Sequence, residues 1–582
     1  MIARSTPRRS VILGLLLCLP LLTAPWASAA DRPAWNTFVN DYIEAFFVAH
    51  PAFAVVQGRH EFDGQLPDWS REGIAAEIAR LKAQRAAALA YTDADLSKEQ
   101  QYQRDYLVSA IDGQLFWLDD AEWPFRSPDF YFSWLTDSLD PSPYITLTYA
   151  PPAERMKSFI RYANNLPTAT AQIRDNLRLP MPRTLLQYGV DSFGGFADFF
   201  RNDVAAAFGK VTDKALLAEF DAAREGAAKA MEALAAWLQS NRGSATEDYA
   251  MGPELFKKML YDTERVDIGL DELEAIARAD LAHNQAELKR ACDEFAPGKS
   301  IPECFAKMAG RKPAGGPVVA AREQLHELKA FVVKQDLVSI PGKEEALVRE
   351  SPPYARSNSA YINTAGPYEE NQPSIYYISP PNPAWPKDVQ KAYIPGESDL
   401  LFTSAHEVWP GHFLNFVHAN RADFTFGRVF VTYAFGEGWA HYTEDMMLDA
   451  GLRERSPETR IGQVGNALLR NARFLSAIGL HTQGMTIAES EQLFMEQAYQ
   501  DRGTAEQQAA RGTYDPAYLN YTVGKLLIKQ LRDDWVAERG GRKAWREFHD
   551  TFLSFGGPPI PLVRAQMLGG EPEAVFYRAA TP

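Results

Sequence analysis

The segment His406-Glu407-Val408-Trp409-Pro410-Gly411-His412 constrains the fold more than any other stretch of this chain. It places two imidazoles around a carboxylate, the ligand and base types of a zinc hydrolase. Their spacing does not suit a regular helix. In H-E-x-x-H sites the histidines stand at i and i+4 on one face. Here Pro410 occupies i+4 and the second histidine falls at i+6, about 120° away on a helix that turns about 100° per residue. The pair can chelate only where the helix bulges or ends at Pro410-Gly411. Proline removes a backbone donor and kinks a helix, and glycine permits the backbone angles that would swing His412 back.

Four of the ten histidines, His406, His412, His418 and His441, cluster in this part of the chain. Glu437, in Glu437-Gly438-Trp439-Ala440-His441, is the expected third ligand. Its distance along the chain suits a helix–loop–helix in which a second helix presents a carboxylate to the same ion. His406, His412 and Glu437 would leave one position open, as catalytic zinc requires. His441 and Glu444 lie at i+4 and i+7 from Glu437 on the same helix face, so either could ligate or orient a ligand from behind. His441 is the natural substitute if His412 does not reach the ion. His418 is expected to be an ordinary histidine near the surface. Glu407, next to a ligand but directed differently, is the expected general base, carrying a proton from the attacking water to a leaving amine.

The first residues read as an export signal over 1–29. Arg4, Arg8 and Arg9 precede the apolar run Val11 to Leu22, and Ala27-Ser28-Ala29 suits cleavage. Cys18 follows Leu17, too large a residue for the usual lipid-anchor signal, so a soluble periplasmic or secreted protein is expected. No other stretch approaches the roughly 20 apolar residues of a membrane span. Removing the signal deletes three arginines and no acid, taking the formal net charge from -15 to about -18. Such an acidic chain lacks the clustered Lys and Arg that nucleic acid requires. The mature chain keeps only Cys292 and Cys304, close enough for a loop-closing disulfide in an oxidising compartment, the alternative being two free thiols. Too few thiols remain for a thiolate site, so histidines and carboxylates must hold any metal.

Apolar residues at three- and four-residue spacings predict helices over 34–49, 71–91, 97–119, 153–176, 213–241 and 270–295. They predict more over 436–450, 459–480, 486–500, 516–538 and 542–555. A mainly α chain with a small sheet follows. Its clearest strand is Ser374 to Ser379, with weaker candidates at Phe331-Val332-Val333 and Leu337 to Ile340. The 374–379 strand could pair with an extended peptide or be closed within its sheet, and Tyr376 on it is a candidate substrate contact. Residues 341–398, rich in Pro, Gly and Tyr, read as ordered loops. A boundary near 243–252 would separate an N-terminal helical region, 30–250, from a catalytic region, 251–582.

Further motifs follow the metal segment: Gly479-Leu480-His481-Thr482-Gln483-Gly484, Tyr521-Thr522-Val523-Gly524-Lys525, and Phe548-His549-Asp550 before Gly557-Pro558-Pro559-Ile560-Pro561. Together with the His406 and Glu437 segments they resemble the bacterial domain-of-unknown-function family 885, over about residues 35–575. That family looks like a relative of the mostly helical gluzincin peptidases. The resemblance implies a large helical fold with a small sheet beside a deep cleft, one zinc ion, and peptidase activity on short peptides. It further implies a Tyr or His opposite the metal to stabilise an oxyanion, for which Tyr521 and His481 are candidates, although Tyr521 could equally be a packing residue. Arg473 and Lys525 are candidate anchors for a substrate carboxylate. The same site would serve a zinc amidase or esterase, and a non-catalytic peptide-binding protein could retain the fold.

Overall fold

The computed structural model describes residues 32–579 apart from 133–136, 353–355, 357–358 and 384. The expected signal 1–29, Cys18 included, lies outside the described residues. Regular structure is almost all helical. In the N-terminal part the main helices are α1 (Trp35–Ala49), α2 (Arg71–Leu89), α3 (Lys98–Leu115), α4 (Pro152–Asn176), α5 (Arg183–Asn202) and α6 (Lys214–Ser240). Their starts follow capping chemistry: Ser70 accepts from the Gly73 N–H, Ser97 and Gln100 cap each other's backbone, and Asp213 accepts from the Ala215 and Leu216 N–H groups. Helix α6 packs along both α4 and α5.

The chain continues through α7 (Pro253–Glu264), α8 (Leu270–Phe295) and α9 (Pro317–Lys334) to three strands, β1 (Ala346–Glu350), β2 (Ala360–Asn363) and β3 (Ser374–Ile378). Strand β3 is central, parallel to β1 and antiparallel to β2, with Tyr376 opposite Val348 and Ile362. Both of its edges are therefore occupied, so the 374–379 strand is closed and cannot take up a peptide by edge pairing. The other two expected strands do not form. Phe331-Val332-Val333 is the last turn of α9, where Leu325, Leu328 and Val332 are buried and Val333 is 63% exposed. That three- and four-residue spacing is helical. Leu337 to Ile340 is irregular chain, held by the His549 imidazole on the Leu337 carbonyl and by Asp550 on the Ser339 N–H.

The remaining helices that matter for the site are α10 (Glu397–Glu407), α11 (His412–Ala419), α12 (Tyr433–Asp449), α13 (Pro457–Thr482), α14 (Arg502–Tyr514) and α15 (Asn520–Ala537). Helix α13 packs along α8, and α12 along α15. One continuous apolar core runs from Trp35 to Phe576 and is not divided near 243–252, where the chain makes the short turn Arg242–Ser244. Cys292 in α8 and Cys304 in the helix Ile301–Ala309 form a disulfide, Cα–Cα 5.8 Å, closing the turn between those helices. Among the described residues no helix is long and apolar enough to cross a membrane.

Two imidazoles tie the N-terminal helices down. His50, just after α1, donates from Nδ1 to Asp137 and from Nε2 to Glu77. His60 donates to Asp63 and to Glu369, far along the chain. Burial lowers both groups, but the paired carboxylates outweigh it and raise each to about 9. A folded value above the unfolded value of about 6.5 means that this stabilisation is complete below pH 6.5 and is lost as pH rises through about 9. The melting temperature should fall across that window in the wild type. His50→Gln should start lower and fall less, and parallel curves for the two proteins would contradict the assignment.

Candidate metal centre

Helix α10 starts where the Asp399 carboxylate accepts from the Gly396 N–H, with Glu397 and Asp399 at its positive end. It ends at Glu407, because Val408 leaves helical geometry and Pro410 offers no donor. The chain then doubles back: the Gly411 N–H donates to the Ala405 carbonyl at 2.9 Å. A Cβ at Gly411 would lie 1.8 Å from the His406 carbonyl oxygen, so only glycine fits this return. Helix α11 begins directly with His412. The Pro-Gly pair thus ends one helix and starts another, and this is how a histidine at i+6 comes back to face His406.

The third donor comes from α12. The Trp439 indole of that helix donates to the Pro410 carbonyl at 2.9 Å and so fixes the return loop against it. Helix α12 is placed in turn by a close crossing with α15. A Cβ on Gly438 would lie 2.4 Å from the Gly524 Cα, and one on Gly524 would lie 2.0 Å from the Ala434 carbonyl oxygen. This crossing sets Glu437 and Tyr521, each one turn or less from a crossing glycine, beside the two histidines.

His406, His412 and Glu437 each bring a ligand atom within 4.8 Å of the others. One carboxylate oxygen, Glu437 Oε2, lies 3.3 Å from His406 Nε2 and 3.2 Å from His412 Nε2. It is buried and has no hydrogen-bond partner of good geometry. Donors about 2.1 Å from a tetrahedral ion are about 3.4 Å apart, so the spacing suits zinc. On its other side His406 Nδ1 meets Glu444 Oε1 at 2.8 Å, which leaves the Nε2 lone pair for the ion. Arg470 Nη2 stands 3.4 Å from the same oxygen. Burial opposes ionisation of Glu444, but Arg470 with His441 and His406 holds its carboxyl well below the usual range.

Glu444 therefore orients His406 and is not a donor. His441 is not a donor either: four residues of helix carry it about 6 Å along the axis from Glu437. Its Nδ1 is 3.5 Å from Glu444, and burial, joined by Lys525 and Arg470, pushes it down to about 4. His418 bonds the Ser339 carbonyl at 2.9 Å, outside the cluster.

Glu407 is 8% exposed and, among the described residues, makes no hydrogen bond or ion pair. Burial first, with Glu437, raises its carboxyl above the ordinary value against the pull of His406 and His412. Tyr376 is fully buried, with Ser404 and Glu407 as polar neighbours, so it cannot touch a substrate. The Tyr521 ring stacks on His406 at 6.2 Å between centroids.

Two expected residues are not brought to the site. His481 donates to or accepts from backbone at both nitrogens, Gly512 O at 2.7 Å and Met251 N at 3.3 Å, so it ties elements together and cannot serve an oxyanion. Lys525 is buried and paired with Asp280 at 2.9 Å, which removes it as a substrate anchor. Arg473 is at the site, its guanidinium 4.7 Å over the Tyr521 ring. Sequence reasoning missed Arg470, Arg511 and Tyr433, which surround the same ring. The signal for Arg470 was charge embedded in Leu468-Leu469-Arg470-Asn471-Ala472-Arg473-Phe474-Leu475, which is too apolar for an exposed helix face.

A surface hollow of about 860 Å³, where Arg85 and Arg265 pair with Asp112 and Lys258 pairs with Asp262, contains none of these residues. The candidate donors lie elsewhere, His406 buried and His412 and Glu437 half-buried among helices.

Two solved structures share this fold. A candidate lipoprotein of unknown function from Shewanella oneidensis superposes with a TM-score of 0.75 at 22% identity, covering 92% of this chain and 100% of its own. A candidate lipoprotein from Colwellia psychrerythraea gives 0.77 at 15% identity, covering 92% and 99%. No curated protein matches the sequence. The family model described as bacterial protein of unknown function (DUF885) matches residues 51–567, and the chain belongs to that family.

Proposed function

We propose that this protein is an exported zinc-dependent peptidase acting on short peptides. One observation carries the reading: a buried Glu437 oxygen sits between two imidazole nitrogens at metal-ligand spacing, near the Glu407 carboxylate, which makes no hydrogen bond or ion pair among the described residues. Zinc bound by His406, His412 and Glu437 would supply Lewis acidity, with a coordination position open to water and substrate. Glu407 takes a proton from the attacking water and returns it to the leaving amine nitrogen. Its raised carboxyl brings its basicity closer to neutral pH, where such transfer works best. The Tyr521 hydroxyl makes no hydrogen bond among the described residues. Burial first, then Glu437, raises its phenol, so it stays protonated and can donate to an oxyanion.

A sunken site favours short, flexible substrates over folded ones. The Cys292–Cys304 disulfide fits an oxidising compartment, and the lipoprotein descriptions of the two structural neighbours agree with export. The site would also hydrolyse a non-peptide amide or ester. A peptide-binding protein without chemistry would have no use for an unpaired, buried Glu407. Mass spectrometry of a pool of unblocked short peptides, incubated with the zinc-loaded protein and with a chelator-stripped sample, tests the reading. Cleavage is expected in the first sample only. Zinc-loaded protein that leaves every peptide intact would contradict it.

A further inference from the structure

Around Tyr521 stand three arginines, and two of them have carboxylates. Arg470 lies 3.4 Å from Glu444, and Arg511 is 2.8 Å from Asp515. Arg473 has none among the described residues. It is 7% exposed, its Nε donates to Gln508 at 2.8 Å, and its plane is set over the Tyr521 ring. Both Nη groups are left without a hydrogen-bond or ion-pair partner among the described residues. Buried arginines are nearly always paired, because an uncompensated charge in the interior is costly. Burial, then the like charges of Arg511 and Arg470, work against the Arg473 charge. The carboxylates nearby are committed elsewhere: Glu444 to His406, Asp515 to Arg511 and Tyr433, and Asp280 to Lys525. Glu264, also buried, caps the start of α12 by accepting from the Ala434 N–H. Arg473 is thus the cation beside Tyr521 that is left without a carboxylate among the described residues, which suits a substrate carboxylate.

We infer that Arg473 binds the free C-terminal carboxylate of the peptide, making the enzyme a carboxypeptidase that removes one or two residues. The inference rests on the hydrolase reading above and deepens it. The guanidinium and His406 both pack on the Tyr521 ring, the guanidinium carbon 4.7 Å and the imidazole centroid 6.2 Å from its centroid. A peptide extends by at most about 3.6 Å per residue, so a carboxylate on Arg473 leaves room for only a residue or two before the carbonyl at the metal. In the reaction the water oxygen bonds to that carbonyl carbon and the C–N bond breaks. One water proton passes through Glu407 to the amine, and the products are a shortened peptide acid and the released C-terminal amino acid or dipeptide.

The test uses N-acetylated pentapeptides randomised at their last two positions, prepared as free acids and as C-terminal amides. With the zinc-loaded enzyme, free acids should be cleaved near the C-terminus about 10- to 100-fold faster than amides, the range of a charge-assisted hydrogen bond to a buried partner. The same peptides binding to zinc-loaded Glu407→Gln protein give a readout independent of turnover. Free acids should bind at least tenfold more tightly, and Arg473→Gln in that background should erase the difference, with Arg473→Lys retaining part of it. Equal handling of acids and amides in both assays would overturn the inference. So would cleavage that requires an unblocked N-terminus. A binding preference for acids without any hydrolysis would uphold the carboxylate site while overturning the peptidase reading.

Discussion

Glu407→Gln is expected to lower peptide turnover by about 10²- to 10⁴-fold while leaving zinc content unchanged. Glutamine keeps the shape of the side chain and cannot take a proton. The native carboxylate has no hydrogen-bond or ion-pair partner among the described residues, so no salt bridge there is lost on substitution and folding should be unaffected. The proposed ligand set, His406, His412 and Glu437, is untouched, and Glu444 still bonds His406. Steady-state rates measured beside metal analysis of the same preparation check this. A variant with full zinc and wild-type turnover would place the base elsewhere. A variant that had lost its zinc would show that Glu407 builds the site and does not work in it.

The second large effect is expected at a residue with no functional groups of its own. Gly411→Ala would place a methyl group 1.8 Å from the His406 carbonyl oxygen and 2.6 Å from that of Ala405. Both are backbone atoms in the last turn of α10, so relief requires that turn to open. The expected cost is about 3 kcal/mol or more, with His412 displaced and zinc binding weakened in parallel. Gly436→Ala is the control: its Cβ would meet only Val431 Cγ2 at 3.5 Å, an ordinary contact, and stability and zinc binding should be near wild type. Denaturant unfolding with and without zinc distinguishes the two. If Gly411→Ala were as stable and as zinc-competent as Gly436→Ala, the return loop would not be what holds the chelate together.

The sequence was most informative where the chemistry is local. The requirement that the helix bulge or end at Pro410-Gly411 follows from rotation about a helix axis, and α10 does end there. Helices α2, α3 and α6 carry their caps in the adjacent sequence, and the Cys292–Cys304 bond closes a short loop. Where partners lie far apart in the chain, residue type was not enough. Lys525 and Arg473 look alike as anchors until Asp280, on α8, is seen to neutralise only the first. His481 looks like a site histidine in its motif, yet backbone groups from two other segments occupy its ring. Val332 and Val333 have strand-forming side chains, but their environment on α9 is set by tertiary packing, which overrides intrinsic preference. Strands β1 and β2 were hidden because short strands among prolines and glycines carry too little alternation to register.

Zinc content, measured by elemental analysis for the wild type beside His412→Ala, tests the central claim most directly. About one zinc per chain is expected in the wild type, with loss of most of it when the histidine beyond the Pro-Gly break is removed. A wild-type protein that takes up no zinc when supplied with it, or a His412→Ala variant that holds zinc as well as the wild type, would contradict the account.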